Sequence, residues 1–185
     1  MCYNSLIVTK ERMRYMKTKR LVIMALFMAL TAAATFVIKI PTGITGGYVN
    51  LGDCMVLLSA YFLGPVWGAV VAGIGSSLSD LLGGYMTYVL PTLVIKALMA
   101  LAAGLIFKGI AEKKPVGLQL VAGVVAEVVM VLGYFLVETM LLGSAAAAAT
   151  AIPGNCVQGV FGILSSTILY RVLAKNESFL QYFKA

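Results

Sequence analysis

A chain of 185 residues that is 61% hydrophobic and 11% charged lies far from soluble domains, where about a quarter of residues carry charge. It reads as one integral membrane domain, and its net charge of +7 sits in short segments beside apolar runs, which excludes a nucleic-acid-binding face. With no histidine and no Walker A sequence, Ser-His hydrolysis, HExxH chemistry and conventional ATP hydrolysis by this chain are excluded too.

Residues 1–16 form a basic extension with no predicted structure, in which Met13 and Met16 are alternative starts. The run that follows, "LVIMALFMALTAAATFVI", is longer than the 7–15 apolar residues of a secretory signal. An uncleaved first membrane helix is therefore predicted over 20–38. Ala25, Ala29 and Ala33 recur every four residues along it, and such a smooth stripe lets another helix approach closely. The connection 39–50, "KIPTGITGGYVN", suits either a plain flexible link or a segment folded over a site.

Residues 51–82 are apolar throughout but interrupted by Gly64-Pro65. As one helix this run would reach roughly 48 Å, against about 30 Å of hydrocarbon; its first part, 51–63, reaches only about 20 Å. Charge decides between one span and two. Two spans here place the basic loop "FKGIAEKKP" and the tail "YRVLAKNESFLQYFKA" on the same side as the basic N-terminus, as cytoplasmic segments require. Pro65 then starts the third helix, where a missing N–H does no harm. The prediction is an all-α membrane protein of six transmembrane helices, at about 20–38, 51–63, 65–82, 90–107, 116–142 and 151–173. Both termini are cytoplasmic, and residues 176–185 form a tail. External connections fall at 39–50, 83–89 and 143–150.

Polar groups in or beside these spans gather in the outer half of the bundle. Asp53 opens the second helix, Asp80 closes the third, Lys96 lies near the start of the fourth and Glu138 near the end of the fifth. Asn155 and Gln158 follow the start of the sixth. All lie within about 12 Å of the external surface at 1.5 Å per residue; only Glu127 is deep. Glu127, Val131, Tyr134 and Glu138 share one helical face, which must turn toward the interior of a bundle in lipid. Lys96 and Glu138, at similar depth, are candidates for a structural ion pair. Asp53 suits an N-terminal cap better than a ligand contact, Asp80 suits a helix end at the interface, and Asn155 with Gln158 suits interhelical hydrogen bonding. Tyr48, Tyr85 and Tyr88 belong to an aromatic belt or to the rim of a pocket. A polar pocket with an aromatic rim, open outward, fits a small polar ligand carrying a flat ring. Cys2, Cys54 and Cys156 show no CxxC spacing and indicate neither a metal site nor a disulfide framework.

The Ala25-x-x-x-Ala29 step, "GGYVNLGD" (46–53), "LGPVWGAVVAGIGSSLSDLLGGY" (63–85), "VIKALMALAAGL" (94–105) and "VMVLGYFLVE" (129–138), in that order, resemble an S component of the energy-coupling factor (ECF) vitamin transporters. The resemblance covers Lys17 to about Lys175. It implies a six-helix, non-enzymatic subunit in a bacterial plasma membrane that captures a vitamin at the extracellular side, with the first external loop as a lid and no cofactor or metal of its own. It also implies docking through Ala25 and Ala29 onto a membrane coupling protein served by two cytoplasmic ATPases, followed by toppling to release substrate inward. The branch it most resembles takes hydroxymethylpyrimidine, pyridoxine or riboflavin. The expected substrate contacts are Lys96, Glu138, Asn155 and Gln158 as hydrogen-bonding groups, Tyr134, Tyr85 and Tyr88 as rings, and Asn50 and Asp80 beside the lid. Trp67, the only tryptophan, falls at the cytoplasmic end, and a pocket without tryptophan favours a small ring over a large ring system. A stand-alone proton- or ion-coupled carrier using Glu127 and Glu138 is the alternative. A structural membrane protein without a ligand is a third reading. The chain lacks the internal repeat common in such carriers.

Overall fold

Gly64, where the longest apolar run breaks, decides how often the chain crosses. The computed structural model describes residues 2–41, 47–109 and 116–183, with side chains from Thr18 onward. Residues 42–46, within the connection 39–50, and 110–115, with Lys113 and Lys114, lie outside the described residues. The long helices are α1 (Cys2–Val37), α2 (Gly52–Leu82), α3 (Met86–Gly109), α4 (Val116–Leu142) and α6 (Ile152–Leu173). Short α5 (Ala145–Ala149) precedes α6, and one-turn α7 (Glu177–Leu180) follows it. Strands β1 (Lys39–Pro41) and β2 (Tyr48–Asn50) pair antiparallel, Lys39 opposite Asn50 and Pro41 opposite Tyr48.

Five helices among the described residues are long and apolar enough to cross a membrane, and one of them, α2, is two helices joined at a break, which makes six. Gly64 has φ 79° and ψ 179°, a conformation essentially reserved for glycine, and Pro65 follows it. Across this break Ser59 Oγ donates to the Gly68 carbonyl at 3.2 Å. A Cβ on Gly68 would meet the Ala60 Cα at 2.8 Å. Nine residues of straight helix span about 13 Å, so the two arms, 52–63 and 65–82, fold back on each other as a hairpin. The expected six-helix membrane bundle is therefore observed. Substituting Gly64→Ala is expected to cost about 1–3 kcal/mol, read as a lowered unfolding midpoint in detergent. The added Cβ would meet nothing within 4 Å, so the cost is one of backbone conformation alone. Gly109→Ala, equally open and without a positive φ, is the control and should change little.

The first arm of α2 is only about 18 Å long, so its N-terminus stops well inside the bundle. Lys96, which pairs with Asp53 there, is ten residues into α3. Gly162, whose added Cβ would meet the Asp53 Cβ at 2.8 Å, is ten residues into α6. Both place Asp53 about 15 Å in from the helix ends nearest the strand pair, deeper than its place at the head of a helix suggests. The strand pair occupies the space above it.

Packing follows the two ends of the bundle. Val56, Leu57, Met99, Ala122 and Met130 form the central core. At the end carrying Arg20 and Arg171, Phe62 stacks on Phe183 at 4.8 Å and meets Tyr170 at 4.8 Å. These rings tie the hairpin turn to α6 and α7. The outward faces carry large apolar side chains such as Leu90 and Leu136, as a lipid-facing surface requires.

Candidate functional site

In lipid a charge must be paired and its remaining hydrogen-bonding capacity filled. Lys96 and Asp53 meet that demand: each is only 1% exposed, and they form a salt bridge. This corrects two expectations. The N-cap of α2 is Leu51, which leaves the Asp53 carboxylate free to turn sideways into the bundle. The Lys96 ammonium consequently pairs with Asp53 rather than Glu138. Gln158 on α6 completes the arrangement, its Nε2 donating to Asp53 Oδ2 at 2.5 Å. Its Oε1 accepts the Asn50 N–H at 2.6 Å, and Asn50 Oδ1 in turn accepts the Gly52 N–H at 2.8 Å. One continuous polar chain thus runs from β2 through α6 to the ion pair joining α2 and α3.

Between the strand pair and this floor lies a small polar cavity of about 20 Å³. Lys96, Glu138, Asn155 and Gln158 border it. So do the rings of Tyr134 and Tyr88, together with Asn50 and Asp80. Its side chains close on one another and leave free space for little more than water-sized guests. Tyr134 Oη and Thr92 Oγ1 are 3.0 Å apart, the Tyr88 hydroxyl lies 3.5 Å from Glu138 Oε1, and Lys96 Nζ sits 5.6 Å from the Tyr134 ring centre. Tyr48 donates to Asp80 Oδ1, fastening β2 to the second arm of α2.

Tyr85 stands apart from the other expected contacts. It lies outside the cavity lining and packs on Tyr48 with ring centres 4.6 Å apart, while Lys39 Nζ rests 4.9 Å from its ring. Lys39 also donates to the Ser79 carbonyl at 3.2 Å, so β1 is held over the rim. Desolvation lowers the Lys39 pKa, partly offset by the Asp80 carboxylate. Burial, and then the bond to Asp80, raises that of Tyr48. Ala25 and Ala29 face outward on α1, as does Ala33. Cys54 and Cys156 are both free thiols.

Sequence reasoning passed over Asp53, Thr35 and Thr92 as parts of this site. The signal for Asp53 was present: an arm too short to span puts its first carboxylate at mid-depth, level with Lys96. Glu127 lies beneath the cavity, buried, with neither carboxylate oxygen hydrogen-bonded. Its Oε1 and the Asp53 Cβ would both fall within 3.0 Å of a Cβ on Gly162, so glycine there makes room for two acidic side chains at once.

Comparison with known proteins gives the following. A family model described as "ECF-type riboflavin transporter, S component" matches residues 15–175. A relative from Pyrococcus woesei, described as an uncharacterized protein in the gap 3' region, is 37% identical over 142 residues. That match covers 77% of this chain and 93% of the relative. A structure described as the S component of a bacterial ECF transporter superposes with a TM-score of 0.66 at 24% identity, covering 86% of this chain and 97% of that one. An S component for biotin from an ECF-type ABC transporter gives 0.66 at 20% identity, with coverage of 91% and 97%. At these identities the structural likeness is one of fold.

Proposed function

The chain belongs to the ECF-type riboflavin transporter S component family, and from that premise we propose that its cavity captures a small B-vitamin or vitamin precursor for ATP-driven uptake. S components are integral membrane proteins and the substrate-binding subunits of ECF transporters, not enzymes. They work with an ECF module of a membrane protein and ATPases. The ligand we propose is a flat heteroaromatic ring with several hydrogen-bonding substituents, of the riboflavin, pyridoxine or hydroxymethylpyrimidine class. Lys96, Asn155, Gln158 and Glu138 bind its ring heteroatoms and hydroxyls; Tyr134 and Tyr88 contact its faces. Asn50 and Asp80 meet it from the strand side, and Tyr85 guards the rim. The cavity end faces outward and the basic end faces the cytoplasm, in accord with the distribution of Lys and Arg.

The observation that carries this reading is the convergence of polar and aromatic side chains from α2, α3, α4, α6 and β2 on one enclosed space. Lys96, Asp53 and Gln158 compensate one another, but Asp80 Oδ2 has no hydrogen-bond partner among the described residues, and a ligand supplies one. Calorimetry of the purified chain with riboflavin, pyridoxine and hydroxymethylpyrimidine tests the reading. One of the three is expected to bind, with Glu138→Ala and Asn155→Ala each weakening it by about 5- to 150-fold, the value of one lost buried hydrogen bond of about 1–3 kcal/mol. Unchanged affinity in both variants removes the site assignment. Proton-driven uptake by the chain alone in liposomes would replace the reading with a free-standing carrier.

Docking onto the coupling protein is assigned to the exposed Ala25–Ala29 stripe of α1. Ala29→Trp fills the groove that a facing helix would occupy. It is expected to abolish co-purification with the ECF module while vitamin affinity stays within about two-fold, because Ala29 points away from the cavity. Retained co-purification would move the docking face elsewhere.

A further inference from the structure

At the opposite end from the proposed vitamin cavity, a second groove opens between the start of the α1 span, the hairpin turn of α2 and the segment after α7. Lys19, Arg20, Trp67 and Tyr182 form its mouth, and Ile23, Phe62, Leu63 and Phe183 its inner wall. Its two cations are held by rings and a carbonyl. Lys19 Nζ lies 4.7 Å from the Tyr182 ring centre and donates to the Gln181 carbonyl at 3.3 Å. The Arg20 guanidinium lies 5.8 Å from the Trp67 ring centre. Among the described residues the salt bridge is Lys96–Asp53, so no described carboxylate neutralises either cation of the groove.

We infer that this groove binds the headgroup of an anionic phospholipid from the surrounding bilayer. Two cations lining one groove, neither paired with a described carboxylate, match a phosphate bearing net negative charge. Trp67 and Tyr182 are rings of the kind that settle at headgroup level. Leu21, Val22, Val66 and Val70, neighbours in sequence of the groove residues Arg20, Ile23 and Trp67, are exposed, an apolar surface for an acyl chain. A free inorganic anion would fill the mouth and leave the inner wall wet, which is why the bilayer is the favoured source. The inference is independent of the vitamin reading, since the groove shares no lining residue with the outer cavity.

Trp67 is the only tryptophan of the chain, so its fluorescence reports on this groove directly. The full chain is reconstituted in phosphatidylcholine vesicles containing rising fractions of dibrominated phosphatidylglycerol or, separately, dibrominated phosphatidylcholine. Half-maximal quenching of Trp67 is expected at a mole fraction about five-fold lower for the glycerol lipid, given the attraction of each basic residue for anionic lipid. The preference should shrink in 0.5 M salt, a test needing no variant, and fall to about one-fold in Lys19→Gln/Arg20→Gln. Equal quenching by the two lipids in the wild type overturns the inference, as does an undiminished preference in the double variant. Protection of Trp67 by inorganic phosphate beyond that of chloride at matched ionic strength would identify a free-anion site and overturn the lipid as its source.

Discussion

Lys96→Met is expected to destabilise the protein by about 3–5 kcal/mol and to abolish vitamin binding. The stability figure is that for removing one partner of a buried ion pair, because the other charge is left in place without compensation. Here that charge is the Asp53 carboxylate, 1% exposed and about 15 Å in from the helix ends nearest the strand pair, with the Gln158 amide as its one remaining donor among the described residues. Stability and binding can be separated by removing both charges. In Asp53→Leu/Lys96→Met, apolar side chains replace the pair, a change that is often neutral or stabilising. The double variant is therefore expected to recover most of the unfolding midpoint while binding stays lost. Denaturant or thermal unfolding in detergent, with calorimetry on each variant, distinguishes the outcomes. A loss below about 1 kcal/mol for Lys96→Met would reduce the pair to the worth of a solvent-exposed one and remove it as the foundation of the cavity. Recovery of vitamin affinity in the double variant would show that neither charge touches the ligand.

The hairpin break at Gly64 was legible in the sequence because a missing N–H, a glycine and the placement of basic loops all pointed to it. The inward turn of the Glu138 and Tyr134 face was legible for a related reason: hydrocarbon leaves polar side chains nowhere else to go. What the sequence obscured was depth. Counting each helix from its own start put Asp53 near the outer surface, yet the arm that begins there is too short to reach it. Lys96 was counted from an expected start at residue 90, whereas α3 begins at Met86 and carries Pro91 internally. Both errors ran toward the surface and hid the pairing of Asp53 with Lys96. The β1–β2 pair was hidden because Gly- and Pro-containing chain between spans reads as a connector. Residues 143–150 also read as a connector, although Ser144 ahead of five alanines is a short helix signal. Ser144 Oγ does accept the Ala147 N–H at 3.3 Å.

Gln158→Leu is expected to loosen the strand pair from the floor of the cavity and to weaken vitamin binding more than Asn155→Ala does. Both residues border the cavity, and Gln158 alone of the two joins β2 to Asp53. Its replacement leaves the Asn50 N–H, in a residue 7% exposed, without its acceptor and takes one donor from a buried carboxylate. A hydrogen bond to a charged group contributes about 1.5–3 kcal/mol and an orphaned buried donor costs about 1–3 kcal/mol. Where both losses fall on the bound state, a weakening of about 70-fold or more in affinity is expected. Hydrogen exchange separates loss of the latch from loss of a ligand contact. In the ligand-free protein the Asn50 amide is expected to exchange about 10-fold or more faster in Gln158→Leu, since local opening no longer has to break that bond. Asn155→Ala should leave its protection intact. Equal protection of Asn50 in both variants would mean that pairing with β1, rather than Gln158, holds the strand, and Gln158 would then act on the ligand directly.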